Sequence, residues 1–279
     1  MLLSEAWELY HADKTIERYS TATLKGYNIQ VSLLINHFGD IDIDEITLLK
    51  LKNYLLEKAG HLKPSSLGMR IRFIRAFFRW ATDEGYCSSN PARKLREPRL
   101  PSRVPKALCE EDTEMLREGC TTPLEHALIE FLYTTGCRVG EVHRLDRSVI
   151  DWDNRSCVVL GKGNKEREVF FNTKCYIWLK KYIEQRTDDD PALFVTERAP
   201  HRMSITQMRY IVKRVAAKAE LAVNVSPHTM RHSFATHLLN NGAPLEGIQT
   251  LLGHEHMRTT LLYTHLSGPK RKEIYRRYF

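Results

Sequence analysis

The sequence predicts a mainly α-helical protein with a small β-hairpin, organised as two domains. Apolar residues recur every three or four positions in most segments, which is typical of amphipathic helices. Two short β-rich segments flank a Gly-Lys-Gly-Asn turn at 161–164, which predicts the hairpin. The 279 residues suit two domains. A basic, proline-punctuated segment at 96–108 is the predicted linker between domains at 1–95 and 109–279.

The first domain is predicted to be all-helical. Ser20 or Thr21 suits the N-cap of a helix that ends at Gly39. Further helices are predicted over 43–60 and 65–85, and each ends at a glycine. The apolar positions expected on the buried face of the Gly39 helix are Leu24, Ile29, Leu33 and Phe38.

The helix predicted over 65–85 combines an apolar face with a basic stripe. Ile71, Ile74 and Phe78 are its predicted core residues, and arginines at i, i+3 and i+7 form the stripe. Arginine donates to phosphate in a bidentate manner, so the stripe suits a nucleic-acid backbone. A solvated face without a partner is the alternative. The predicted DNA-contacting residues are Arg70, Arg72, Arg75 and Arg79 in this helix, and Arg99 and Arg103 in the linker.

The net charge of +8 is concentrated in two blocks. Residues 63–106 carry 11 Lys and Arg against 3 Asp and Glu, and residues 201–279 carry 12 against 4. The remaining segments, 1–62 and 107–200, are both net acidic. Two separate basic blocks predict a polyanion that is bound at two places.

Helices and the hairpin alternate along the second domain. One helix is predicted over 122–136, ending at Gly136, and another begins in 137–145. The strands of the hairpin are expected within 157–171. Later helices are predicted over 174–186, over 204–221, and from Ser226 as N-cap and Pro227 as first helical residue.

Several chemically active side chains lie at the ends of these elements. His228 and Arg231 are i and i+3 in the first turns after Ser226, where free N–H groups favour an anion. Arg138 opens a helix, Lys162 lies at the hairpin tip, and His254 follows a helix-ending Gly253. Tyr263 comes nine residues after His254.

This set of two arginines, a lysine, two histidines and a tyrosine suits phosphoryl transfer without a metal. Arginines neutralise the non-bridging oxygens of a phosphodiester, which is a main catalytic contribution in such reactions. Tyr263 suits covalent nucleophilic attack, and lysine and histidine suit proton transfer. Each residue alone has an ordinary structural explanation, so the prediction rests on their joint presence.

A metal site is the alternative for the histidines. His228 and His232 have the i, i+4 spacing of a helical zinc pair. The HExxH pattern requires Glu beside the first histidine, whereas the sequence is HTMRH. Arg231 would also place a fixed cation beside the metal. We therefore expect no metal and no cofactor, and we expect His237 to be a packed or surface residue.

The remaining composition predicts a cytoplasmic protein. The six cysteines are scattered without a CxxC pair, which indicates reduced thiols and not a disulfide framework. No run of about 18 apolar residues predicts a transmembrane helix. The first residues carry acids and lack the basic and apolar regions of a signal peptide.

Four motifs, in order, resemble the tyrosine recombinases, or phage-integrase family, and among them the simple Xer-like members. They are TTGCRVGEVHRL, GKGNKEREV, SPHTMRHSFATHLL and LLGHEHMRTTLLYTH. The resemblance is close over 120–279 and looser over 1–95, where YSTATLKGYNIQVSLLINHFG resembles the helical core-binding domain. It implies a two-domain clamp around duplex DNA, with an α+β catalytic domain.

The resemblance also implies a role for each catalytic position. Tyr263 attacks the scissile phosphate and forms a 3′-phosphotyrosyl intermediate. Arg138 and Arg231 bind the phosphate, and Lys162 protonates the leaving 5′ oxygen. His228 acts as base or hydrogen-bond partner, and His254 donates to the phosphate.

Three further positions match the family less directly. Glu141 matches an acidic position that supports the site, and His232 matches a frequent second histidine of structural character. Cys137 stands where the family commonly has an aliphatic residue, and we expect it to pack in the core.

The implied activity is site-specific recombination by a homotetramer on two inverted-repeat-type DNA sites. A tail at 264–279 is expected to pack on a neighbouring protomer, the alternative being a tail folded on its own domain. Integration, cointegrate resolution and chromosome-dimer resolution all fit, and an accessory protein remains open. The rival interpretations are a non-catalytic DNA-binding regulator of the same fold and a type IB topoisomerase.

Overall fold

A computed structural model describes residues 1–100, 107–161 and 165–253 of the chain. The chain divides into two compact units, Met1–Ser102 and Arg103–Phe279. Helices dominate both units, and the second also contains a small antiparallel sheet. The predicted fold class is confirmed. None of the helices in the described ranges is long and apolar enough to cross a membrane.

The first unit is built from α1 (Leu3–Ile16), α2 (Thr21–Phe38), α3 (Leu48–Ala59) and α4 (Pro64–Asp83). Ser20 caps α2 as predicted, because its Oγ accepts a hydrogen bond of 3.1 Å from the N–H of Thr23.

Two details of the sequence prediction for this unit are wrong. The single helix expected over 43–60 is a short 3₁₀ turn, Ile43–Glu45, followed by α3. The break arises because the Thr47 side chain accepts from the N–H of Lys50 and starts a new helix. In α2, Ile29 is 59% exposed, and the buried residues are Leu24, Val31 and Leu34.

The core of the first unit is largely aromatic. Tyr10, Phe73 and Phe77 are all buried, and the Phe73 and Phe77 rings stack with centroids 5.8 Å apart. The indole N–H of Trp80 donates to Asp13 at 2.9 Å. The predicted core residues of α4, Ile71, Ile74 and Phe78, are buried as expected. The opposite face of α4 is therefore left to solvent.

The second unit surrounds one buried helix. Its helices are α5 (Glu110–Glu118), α6 (Pro123–Thr135), α7 (Val139–His143), α8 (Thr173–Glu184), α9 (Ile205–Lys218), α10 (Pro227–Asn240) and α11 (Leu245–Leu252). Helix α6 packs against α8, α9 and α10, and Leu128, Phe131 and Leu132 lie fully buried along it. This packing brings α9 and α10 to the same central helix.

The sheet contains strands β1 (Ile150–Asp151), β2 (Ser156–Leu160) and β3 (Glu166–Phe170) in that order, all antiparallel. The predicted hairpin of β2 and β3 is confirmed. The third strand, β1, was not predicted, because a strand of two residues is too short to show an alternation of apolar and polar positions. Val159 of β2 pairs with Arg167 of β3.

Two buried carboxylates tie α6 to its neighbours. Glu125 is fully buried and accepts from Arg214 at 2.8 Å and Lys218 at 3.1 Å, both on α9. Burial by itself would raise the pKa of Glu125, but hydrogen bonds from Thr121, Lys218 and Arg214 lower it to about 2. Glu130 pairs with Arg117 of α5. These ion pairs fix α5 and α9 against α6.

Candidate active site

Arg138 is placed by the sharp turn between α6 and α7. Gly136 ends α6 with φ of +60°, and a Cβ there would lie 2.4 Å from the Phe234 ring, so only glycine fits. Two residues on, the Arg138 N–H donates to Glu141 at 2.8 Å and its Nη1 donates at 2.9 Å. The Arg138 side chain remains 40% exposed. Glu141 therefore holds the guanidinium, while part of the side chain stays accessible to solvent.

Arg231 lies on α10, which begins as the sequence predicts. Ser226 is the N-cap, with its Oγ accepting from the Thr229 N–H at 3.1 Å, and Pro227 follows. The Arg231 guanidinium donates to the carbonyl oxygens of Gly136 at 2.6 Å and Leu252 at 2.7 Å. With only 2% of the residue exposed, this cation is fixed between the ends of α6 and α11.

A pocket of about 530 Å³ brings three of the six predicted catalytic residues together. Arg138, His228 and Arg231 all line it. His228 is exposed in the first turn of α10. Arg138 and Arg231 stand 93 positions apart in the sequence, and the packing of α10 on α6 joins them.

The sequence interpretation missed two further cations of this pocket, Arg209 and Lys213 on α9. They are i and i+4, so they share one face of the helix, and both are exposed. Within the part of the chain that the structure describes, neither takes part in an ion pair, whereas Arg214 and Lys218 on the same helix bind Glu125. The i, i+4 spacing was the available signal. The pocket therefore carries four arginine or lysine side chains and a histidine.

Glu141 supports the site from beneath. It is 3% exposed and accepts from both Arg138 and Arg167. Burial alone would raise the pKa of Glu141, but hydrogen bonds from Arg167 and Arg138 hold it below its usual value. Glu141 is therefore an anion whose charge is matched by arginine.

The other sequence-selected residues of this unit lie in the core or away from the pocket. Cys137 is fully buried, and burial raises its pKa to about 11, so its thiol packs as predicted. His237 is half-buried and contacts the hydroxyl of Tyr133 and the carbonyl of Leu108. It is packed, as expected, and outside the pocket. Across the described ranges, no group of three His, Cys, Asp or Glu side chains is placed to hold a metal ion.

The basic stripe of the first unit is exposed as predicted. Arg72, Arg75 and Arg79 have side chains 55%, 48% and 78% exposed. Arg72 and Arg75 approach Glu97 at 2.5 Å and 3.9 Å, and Arg79 approaches Asp83 at 3.5 Å.

The two remaining described arginines of this set differ from each other. Arg70 donates to Gln30 and to the Lys58 carbonyl, both at 3.2 Å, and stacks over Tyr54. Arg99 is exposed. The other predicted site residues, Arg103, Lys162, His254 and Tyr263, and the tail at 264–279, lie outside the described residues.

The second unit, which contains this pocket, matches a known protein family. A family model described as the phage integrase family matches residues 106–268, more than half of the chain. The chain belongs to the phage integrase family. The resemblance inferred from the four sequence motifs is confirmed.

Curated relatives of this phage integrase family member cover nearly the whole chain. Tyrosine recombinase XerC of Corynebacterium glutamicum is 36% identical over 274 residues, covering 95% of this chain and 88% of that protein. Tyrosine recombinase XerD of Ralstonia nicotianae is 35% identical over 247 residues, covering 84% and 79%. By class, the protein is therefore an enzyme, a tyrosine-type site-specific DNA recombinase.

Solved structures of the family share the fold. The crystal structure of XerA recombinase matches with a TM-score of 0.59 and 29% identity over 99% of this chain and 98% of that chain. A lambda integrase dimer bound to a COC′ core site matches with a TM-score of 0.78, over 93% of this chain and 97% of that chain. Its 16% identity makes this likeness one of fold alone.

Proposed function

We propose that the protein cleaves and rejoins DNA strands at specific sites through a covalent bond between Tyr263 and a 3′ phosphate. The pocket that unites Arg138, His228 and Arg231 carries this proposal. Two arginines that are fixed by neighbouring groups offer donors to a phosphodiester without further reorganisation. Preorganised donors of this kind stabilise the charge that develops in phosphoryl transfer.

The proposed reaction exchanges one phosphoester for another. The Tyr263 oxygen bonds to phosphorus, and the bond from phosphorus to the 5′ oxygen breaks. The tyrosine proton leaves toward His228, and Lys162 supplies a proton to the 5′ oxygen. His254 donates a hydrogen bond to the phosphate. A 5′ hydroxyl from another strand reverses the step, so the scheme uses no metal and no nucleotide cofactor.

Contacts to the duplex are proposed for both units. In the second unit, Arg209 and Lys213 extend the cationic surface of the pocket. In the first, the exposed ion pairs to Glu97 and Asp83 contribute only about 0–1 kcal/mol, so phosphates can replace these acids at low cost. The DNA contacts proposed from the sequence remain Arg70, Arg72, Arg75, Arg79 and Arg99 of the first unit, together with Arg103.

The finer features of the proposal concern assembly. We propose a homotetramer that joins two inverted-repeat-type sites, with residues 264–279 packed on a neighbouring protomer. A non-catalytic regulator would bind DNA without forming an adduct. A type IB topoisomerase would relax plasmids that lack a specific site.

Covalent trapping tests the proposal. The protein is mixed with DNA from around its own gene in the presence of a chelator, and the reaction is quenched with detergent. Wild type is compared with Tyr263→Phe and with Tyr210→Phe, a control at a tyrosine that is 64% exposed on α9. We expect protein-linked DNA from wild type and the control, and none from Tyr263→Phe.

Each other outcome has a clear meaning. An adduct from Tyr263→Phe would exclude this nucleophile. Tight DNA binding without any wild-type adduct would favour the regulator. Relaxation of a plasmid that lacks the trapped sequence would favour the topoisomerase.

A further inference from the structure

Arg167 of β3 is a largely buried cation of the second unit that the mechanism above does not use. Its side chain is 11% exposed. Its Nη1 and Nη2 donate to the two oxygens of Glu141 at 3.0 Å and 2.8 Å, and its Nε donates to the Leu251 carbonyl at 3.0 Å. One guanidinium therefore connects β3, α7 and the end of α11.

The first connection leads to Arg138. The carboxylate of Glu141 is 2% exposed and also accepts from the Arg138 Nη1 at 2.9 Å and the Arg138 N–H at 2.8 Å. Arg167 thus fixes the rotamer of the acid that in turn holds Arg138. Without Arg167, Glu141 would be a buried anion with half of its cationic partners, and its geometry would relax.

The second connection leads to Arg231. Arg167 binds the carbonyl of Leu251, and Arg231 binds the next carbonyl, that of Leu252, at 2.7 Å. The following residue, Gly253, has φ of +62°, and a Cβ there would lie 2.9 Å from the Arg167 Cδ. The end of α11 is therefore packed on one arginine and hydrogen-bonded by both.

We propose that Arg167 is a positioning residue for recombination, which sets the distance and orientation of Arg138 and Arg231 in the phosphate pocket. The inference rests on the proposed function of that pocket. Arg167 does not line the pocket itself. It acts through Glu141 and through the end of α11, and it couples the two arginines of the pocket to strand β3.

Lysine at this position keeps the charge and loses the geometry. A guanidinium presents its donors in a planar fork that matches a carboxylate, whereas an ammonium is a point charge. Lysine therefore cannot serve both oxygens of Glu141 and the Leu251 carbonyl together. Misplacement of a catalytic group by about 1 Å costs up to about 100-fold in rate.

Arg167→Lys is compared with Arg186→Lys, a matched control in the same unit. Arg186 is 3% exposed, binds both oxygens of Asp188 and donates to the Ala192 carbonyl, and it lies outside the pocket. We measure the melting temperature, the DNA dissociation constant and the single-turnover rate of covalent adduct formation. We expect both variants to melt lower and to bind DNA within threefold of wild type. Only Arg167→Lys should lose about 10- to 100-fold in cleavage rate.

A second variant tests the proposal if Arg167→Lys folds poorly. Glu141→Gln preserves shape and removes the charge that links the two arginines. We expect the same loss of cleavage rate, and the double variant should be no slower than the worse single variant, because both changes break one unit. Arg167→Lys cleaving within twofold of wild type, or slowing only as much as Arg186→Lys, would overturn the proposal.

One measurement does not depend on the chemistry. The Nε–H signals of Arg138 and Arg231, observed by NMR in the free protein, should exchange with solvent faster in Arg167→Lys than in Arg186→Lys. Unchanged exchange would overturn the positioning role. Faster exchange in a protein whose wild type forms no adduct would support that role and reject the proposed function.

Discussion

Replacing Arg231 with lysine tests whether this residue both stabilises the fold and binds phosphate. Arg231 donates to the carbonyls of Gly136 and Leu252 at 2.6 Å and 2.7 Å. Each bond from a charged donor contributes about 1.5–3 kcal/mol. The two bonds leave different nitrogens of the guanidinium, and we expect the single nitrogen of lysine to keep one of them. We therefore expect the free energy of unfolding to fall by about 2–3 kcal/mol and the melting temperature by roughly 5–10 °C.

Catalysis should fall further than stability. Removing one preorganised donor from a site that binds developing charge costs about 10²- to 10³-fold in rate. The rate of adduct formation is measured at saturating protein, roughly 15 °C below the melting temperature of the variant. Arg117→Lys is the control, since Arg117 is also largely buried and bound to Glu130 but lies outside the pocket. The control should lose stability and keep its cleavage rate.

Two results would refute this reasoning in different ways. A cleavage rate within threefold of wild type, together with lower stability, would mean that Arg231 stabilises the fold and does not contribute to catalysis. An unchanged melting temperature would mean that its two buried hydrogen bonds stabilise nothing.

Three other expectations concern stability and DNA binding. The pKa of Glu125 is lowered from 4.5 to about 2, so its contribution of about 3 kcal/mol is present above pH 4.5 and lost as the pH falls toward 2. Urea denaturation should show that Glu125→Gln has a much lower free energy of unfolding than wild type at pH 6, and a smaller difference from it at pH 3. An equal difference at the two pH values would contradict the stabilising role of the ion pairs. Gly136→Ala should lose about 2–4 kcal/mol from its left-handed φ and its contact with Phe234, and unchanged thermal melting would contradict this. A triple alanine variant of the first-unit stripe should bind DNA more weakly with a shallower salt dependence, and an unchanged slope would leave only a solvated face for Arg72, Arg75 and Arg79.

Helix α9 illustrates what periodicity reveals and what it hides. The i, i+4 spacing places Arg209 with Lys213, and Arg214 with Lys218, from the sequence alone. Nothing local distinguishes the two pairs. The burial of Glu125 on α6 decides that one pair is neutralised, and the packing of α10 decides that the other lines the pocket.

One of the two errors in the first unit has the same origin. Leu24 and Ile29 both fit an apolar stripe, but which stripe meets the core depends on where neighbouring helices lie, and Ile29 is exposed. The break before α3 is a local effect, because Thr47 is a good N-cap that the longer apolar pattern concealed.

The sequence by itself determined the features that short-range geometry controls. Ser226 and Pro227 start α10, Gly136 and Gly253 end helices, and the four ordered motifs identify the family. Side-chain capping and left-handed glycine conformations depend only on neighbouring residues, so the sequence alone predicts them.

Only the tertiary structure decided how distant groups combine. Arg231 reaches Gly136, 95 positions away, and Arg167 pairs with Glu141, 26 positions away. The directions of these side chains depend on how α6, α10, α11 and β3 pack, and buried charges are tolerated only where partners meet them. The pocket is therefore a product of long-range packing, although Arg138, His228 and Arg231 were already predicted as site residues from the sequence.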